Sequence, residues 1–153
     1  MGAMSRRINV RGIIWQDGQL LTVRHLAHTG EGKNFWCTPG GGLDDGESLV
    51  DGIKREIIEE TGITPQIGRL LFIQQFKPHI LNTRGFDEFL EFFYHITNAE
   101  DFQTIDLASS SHGAAEIAEW AWRDPTDGDL LPKFLSEINF TDYTTNDKPV
   151  LCI

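Results

Sequence analysis

"CTPGGGLDDGESLVDGIKREIIEETGI", residues 37–63, is the stretch that decides how this chain is read. In its second half Leu49, Ile53 and Ile57 recur at helical spacing. At about 100° per residue they form one apolar stripe that can pack on a sheet. Glu56, Glu59 and Glu60 fall on the adjoining arc, within roughly 100° of one another. Gly52 shares that arc, where Ala would favour the helix by about 1 kcal/mol, so a small residue there predicts close approach of another backbone. Like charges at helical neighbour spacing repel by about 0.2–0.5 kcal/mol per pair. Three carboxylates at the margin of a buried stripe need a hard cation or several basic partners, and such oxygen donors suit Mg²⁺ or Mn²⁺. The competing reading is a solvated acidic face flanked by Lys54 and Arg55.

The 153 residues, 40% hydrophobic, are enough for one domain with a sizeable core. Residues 1–4 (MGAM) read as a tag remnant ahead of a native start at Met4, which leaves 5–153 as a single domain. No apolar run approaches the roughly 18 residues of a membrane span, and no signal-peptide pattern follows. Cys37 and Cys152 lie far apart and suggest reduced thiols in a cytoplasmic protein. A net charge of −10 argues against an extended nucleic-acid partner but not against a small phosphorylated ligand. A divalent cation reverses the local field inside an acidic pocket.

Around the charged helix, predicted over 48–61 with Ser48 and Asp51 as a cap pair and Gly62 as its αL stop, the chain alternates apolar runs and turns. Residues 8–15 and 19–25 read as strands joined at Asp17-Gly18, and 35–37 as a short strand leading into TPGGG. Residues 67–76, 86–96 and 119–123 are further strands, and 129–138 reads as a C-terminal helix with Pro132 in its first turn. This is an α+β pattern, a mixed sheet with helices packed on it.

The stretch resembles the Nudix box position by position: Gly41, five spacers, Glu47, seven spacers, Arg55-Glu56-Ile57, a spacer, Glu59-Glu60, a spacer, Gly62-Ile63. A chance match has a probability on the order of 10⁻⁹ per start position at ordinary residue frequencies. The resemblance implies a Nudix-type α/β/α sandwich, with a mixed β-sheet between helices. It also implies divalent-metal-dependent hydrolysis of a nucleoside diphosphate linked to another group. The same resemblance implies that Glu56, Glu59 and Glu60 bind or serve the metals, with the Gly40 carbonyl as a further ligand. It makes Arg55 the residue that orients these carboxylates, paired with Glu47.

Such chemistry needs water to attack phosphorus against repelling negative charge, with Mg²⁺ (or Mn²⁺) as Lewis acid. The general base is Glu56 or a glutamate outside the box. Glu116 and Glu119 are the candidates there, as supplementary metal ligand or base, against the reading of exposed strand-edge charges. His112 beside them reads as a surface histidine. Arg24, at a strand end, is a candidate phosphate contact, as are the loop cations Lys33 and Arg84. Trp36, with Phe35 and Trp15, either stacks on a base or packs in the core. A nucleoside triphosphate, canonical or oxidised, is the first substrate expected. ADP-ribose or a nucleotide sugar is second, because the position of Pro78, fifteen residues after Ile63, resembles the ADP-ribose branch of the family. A Nudix-fold binding module without turnover is the reading from another class. Phe89 and Phe93 opposite Leu90 and Phe92 fit either a homodimer interface or burial on both faces of a sheet.

Overall fold

The computed structural model describes residues 2–27, 32–77, 85–110 and 112–153. The N-terminal apolar runs form β1 (Arg6–Ile13), a two-residue β2 (Trp15–Gln16) and β3 (Gln19–His25). The turn joining β2 to β3 has positive φ at both central residues, 52° at Asp17 and 76° at Gly18, as a tight hairpin requires. There follow β4 (Gly40–Gly42), α1 (Leu49–Thr61), β5 (Ile67–Phe76) and β6 (Glu88–Ile96). The short α2 (Gly113–Glu116), β7 (Ile117–Arg123), α3 (Phe140–Thr144) and β8 (Leu151–Cys152) complete the described strands and α-helices.

One sheet has the order β4-β1-β6-β5-β8 and is mixed. β1 runs parallel to β6 and β5 parallel to β8, whereas the β4–β1 and β5–β6 pairs are antiparallel. A second, antiparallel sheet has the order β2-β3-β7. Val10, Ile14, Leu21, Ile96 and Phe102 receive Ile53 and Ile57 of α1. Ile13, Phe72 and Phe93 form another cluster, covered by Leu135, Phe140 and Tyr143 from the C-terminal segment. The sheet is therefore sandwiched between α1 and the C-terminal turns, and Phe92 and Phe93 go to opposite layers of one molecule.

Ser48 caps α1 by accepting the Asp51 N–H at 3.1 Å, and Gly62 ends it at φ 74° with its N–H on the Ile58 carbonyl. Burying Ile53 and Ile57, both fully inaccessible, contributes about 1.5–3 kcal/mol each. That exceeds the few tenths of a kcal/mol lost per repelling glutamate pair, so apolar burial decides that the helix forms.

Three expectations are corrected. Residues 35–37 make single bridges, Val23 with Cys37 and Trp36 with Leu130, rather than a strand. Residues 129–138 are not an α-helix: only Lys133–Glu137 winds, as a 3₁₀ turn, and α3 follows it. Leu131 precedes a proline, which disfavours helical backbone, and its N–H is committed to the Trp36 carbonyl. Gly52 admits side chains rather than a backbone, since a Cβ there would meet Leu43 at 2.5 Å and Glu47 at 3.1 Å.

Candidate active site

Arg55, between Ile53 and Ile57 of the apolar stripe, organises the acids. Arg55 grips Glu47 with two parallel hydrogen bonds, Nε to Oε2 at 2.8 Å and Nη2 to Oε1 at 2.9 Å. Its Nη1 donates to Glu56 Oε1 at 2.9 Å and Glu59 Oε2 at 3.1 Å, and Nη2 also reaches the Gly42 carbonyl at 3.0 Å. The planar fork is what lets one side chain serve these acceptors together. The bond to Arg55 holds the Glu47 carboxyl below its usual range, and Glu47 in turn keeps Arg55 firmly charged.

Glu60 points elsewhere. Only 2% exposed, it accepts the Gly40 N–H at 3.2 Å and meets His25 Nε2 at 3.2 Å. On its other side His25 Nδ1 lies 3.4 Å from Cys37 Sγ. Burial alone would favour a neutral imidazole, but the hydrogen bonds to Cys37 and Glu60 prevail and raise His25 to about 9. The third acid, Glu56, is pushed up from the usual carboxylate range, first by burial and further by the neighbouring Glu60 and Glu59 charges, despite Arg55. Gly41 makes room for it, because a Cβ there would stand 2.7 Å from Glu56 Oε2.

Among the described residues no three acidic, imidazole or thiol side chains already enclose an ion. The donor set nevertheless fits a hard divalent cation. Glu56 lies against Gly41, Glu60 accepts the Gly40 N–H, and Glu59 shares the Arg55 fork with Glu56, so hard oxygen donors gather beside the glycine run of β4.

The outer candidates divide. Arg24 and Glu119 face each other across the β3–β7 ladder, Nη2 to Oε2 at 2.8 Å, and Glu119 is half exposed. The Arg24 guanidinium also lies 5.8 Å from the Trp36 ring, and that of Arg123 4.9 Å from it. Trp36 therefore joins a cationic rim while its inner side packs on the core. Lys33 sits over Phe35 at 5.8 Å. Glu116 is exposed at the end of α2. Arg84 and Pro78 lie outside the described residues.

Three participants escape sequence reading. His25 and Cys37 carry no spacing signal toward Glu60, 35 and 23 positions away, although a histidine next to a candidate phosphate contact at a strand end is a retrospective cue. Arg11 is the third, its Nη1 donating to the Gly40 carbonyl at 3.0 Å. His112, expected at the surface and indeed half exposed, also touches the site, with Nδ1 3.3 Å from Glu59 Oε2.

An acid-rich helix, clasped by an arginine and laid against a glycine run on a mixed sheet, defines a hydrolase of the α+β sandwich class. The NUDIX domain profile matches residues 5–142, and the chain belongs to the Nudix family. It is a pyrophosphohydrolase of nucleotide-linked diphosphates. An RNA pyrophosphohydrolase of Shewanella denitrificans is 31% identical over 132 residues, covering 76% of this chain and 69% of its own. One from Bartonella clarridgeiae is 29% identical over 126 residues, covering 76% and 70%. The E. coli ORF135 protein shares the fold with a TM-score of 0.67 at 20% identity, over 97% of this chain and 99% of its own. The sandwich and the hydrolase expected from the box are thus borne out, and the non-catalytic module is set aside.

Proposed function

We propose that the chain hydrolyses the diphosphate bridge of a nucleoside triphosphate, canonical or oxidised, by attack of water on one phosphorus. Glu56, Glu59, Glu60 and the Gly40 carbonyl would hold Mg²⁺, with Mn²⁺ as substitute. When bound, that ion supplies Lewis-acid neutralisation of the diphosphate charge. The carrying observation is the division of the acids: Arg55 aligns Glu47, Glu56 and Glu59, while His25 and the Gly40 N–H hold Glu60. Loading a cation competes with Arg55 for Glu56 and Glu59. Glu56, half-buried and seated against Gly41, is assigned to take the proton from the attacking water. Arg24, Trp36, Lys33 and Arg84 form the substrate rim. Glu119 orients Arg24 there, and Glu116 is assigned as a supplementary ligand.

A second reading, a phosphoanhydride carried on RNA, is supported by the printed name of the relatives. The net charge of −10 weighs against extended RNA contact. ADP-ribose and nucleotide sugars rank below both. A screen of triphosphates, triphosphorylated oligoribonucleotides, ADP-ribose and nucleotide sugars with Mg²⁺, Mn²⁺ or EDTA tests the ordering. The expected result is nucleoside monophosphate and inorganic pyrophosphate from the triphosphates only with metal. Turnover unaffected by EDTA overturns the metal assignment, and cleavage confined to ADP-ribose overturns the substrate.

A further inference from the structure

Arg11 is a charged residue in the interior of a central strand, between β4 and β6, with a side chain only 18% exposed. A β-branched apolar residue would suit such a position without any guanidinium to desolvate. Its contacts show what the arginine does instead. Nε donates to Glu91 Oε2 at 3.1 Å, and Glu91, itself buried, is steadied by Asn9 Nδ2 at 3.3 Å. Nη1 is shared between the Gly40 carbonyl at 3.0 Å and the Thr38 carbonyl at 3.4 Å. The carbonyl between them, that of Pro39, accepts the Gly12 N–H at 2.8 Å. Three consecutive carbonyls leading into the box are thus held by two adjacent residues of β1. Gly40 admits no side chain there: its φ is +136°, and a Cβ would fall 2.0 Å from the Val10 carbonyl oxygen. The direction of its own carbonyl is set by a side chain one strand away.

We propose that Arg11 is a positioning residue for the cation site, fixing the Gly40 carbonyl through a guanidinium that Glu91 holds in place. This rests on the reading of Gly40 as a metal ligand. Geometry rather than charge is the active property, because a planar fork can serve Glu91 and two carbonyls together and an ammonium cannot.

Mn²⁺ binding to the full chain, measured by electron paramagnetic resonance of the free ion without substrate, tests it. Outer partners of metal ligands typically affect affinity by about 10–100-fold, so R11K and R11M are expected to weaken Mn²⁺ binding by at least about tenfold. E91Q, which frees the other end of Arg11, shifts affinity the same way. Turnover of R11K recovers as Mn²⁺ is raised toward saturation, a rescue that general structural damage does not allow. Wild-type affinity in R11K overturns the proposal, as does tighter binding in R11M, since either makes charge the operative property. If R11M does not fold, R11K and E91Q carry the test, because each leaves a partner for the buried charge. Absence of Mn²⁺ binding in the wild-type protein would instead overturn the metal reading, and this inference with it.

Discussion

Glu60→Gln separates the charge of the buried acid from its shape. Glutamine keeps an oxygen for the Gly40 N–H but turns a neutral amide toward His25, 3.2 Å away. In the native protein His25 is raised from 6.5 to about 9 against the opposing effect of burial, by hydrogen bonds to Cys37 and Glu60. A rise of that size corresponds to at most about 3 kcal/mol of stability. Because the folded value lies above the unfolded one, this stability is fully present below about pH 6.5 and is lost as pH rises through about 9. Cys37 retains its part in the variant, so only a part of the effect, on the order of 1 kcal/mol, disappears with the Glu60 charge. Urea unfolding at pH 6 and pH 10 reads it directly. With a slope of about 1–3 kcal/mol per molar urea, the midpoint at pH 6 falls by about 0.3–1 M, and the difference from wild type shrinks markedly by pH 10. A cost that is equal at both pH values, or that grows toward pH 10, refutes the charged His25–Glu60 pair.

Glu59→Gln leaves the fold nearly intact, because Glu59 is partly exposed, but lowers turnover at saturating substrate by about a hundredfold. Steady-state kinetics with thermal melting as control check this. Gly41→Ala drives a methyl against the Glu56 carboxylate, a flexible side-chain end. Its melting temperature changes little while turnover drops by about 10–100-fold through misplacement of Glu56. Gly40→Ala meets the Val10 backbone instead, at a positive φ. A loss of at least about 3 kcal/mol in a denaturant titration is expected, a large share of an ordinary stability margin.

Local rules carried the helix. Ser48, the Leu49–Ile53–Ile57 stripe and Gly62 act within one or two turns, so residue order alone locates α1 and its caps. The Arg55 contacts with Glu56 and Glu59 are local too, and Glu47 lies only eight residues upstream. The C-terminal segment was misread because its apolar spacing fits a helix, whereas the Leu131 N–H is taken by Trp36, 95 positions earlier. The same distance problem hid His25 and Arg11. Each reaches the site across a sheet, and a strand residue carries no mark of which loop its tip will meet. Glu119 and Arg24 were singled out separately for catalysis and phosphate binding. Only the β3–β7 register reveals that they are partners.

Why the helix tolerates its acids follows from the charges brought to it. Glu47, Glu56, Glu59, Glu60 and Glu91 face Arg55, Arg11 and a protonated His25. Asp44 adds a further acid on Arg55 at 3.3 Å, so the negative groups outnumber the positive ones. The upward shift of Glu56, which persists although Arg55 donates to it at 2.9 Å, comes first from burial and then from the neighbouring Glu60 and Glu59 charges. A solvated acidic face would relieve such crowding by exposure, yet Glu60 is buried and Glu56 nearly so. Apolar burial of Ile53 and Ile57 forces the acids to the margin of the sheet. The arginines and the histidine then fix each carboxylate in place without neutralising the group, and it is this incomplete compensation, more than the number of glutamates, that supports the proposed cation.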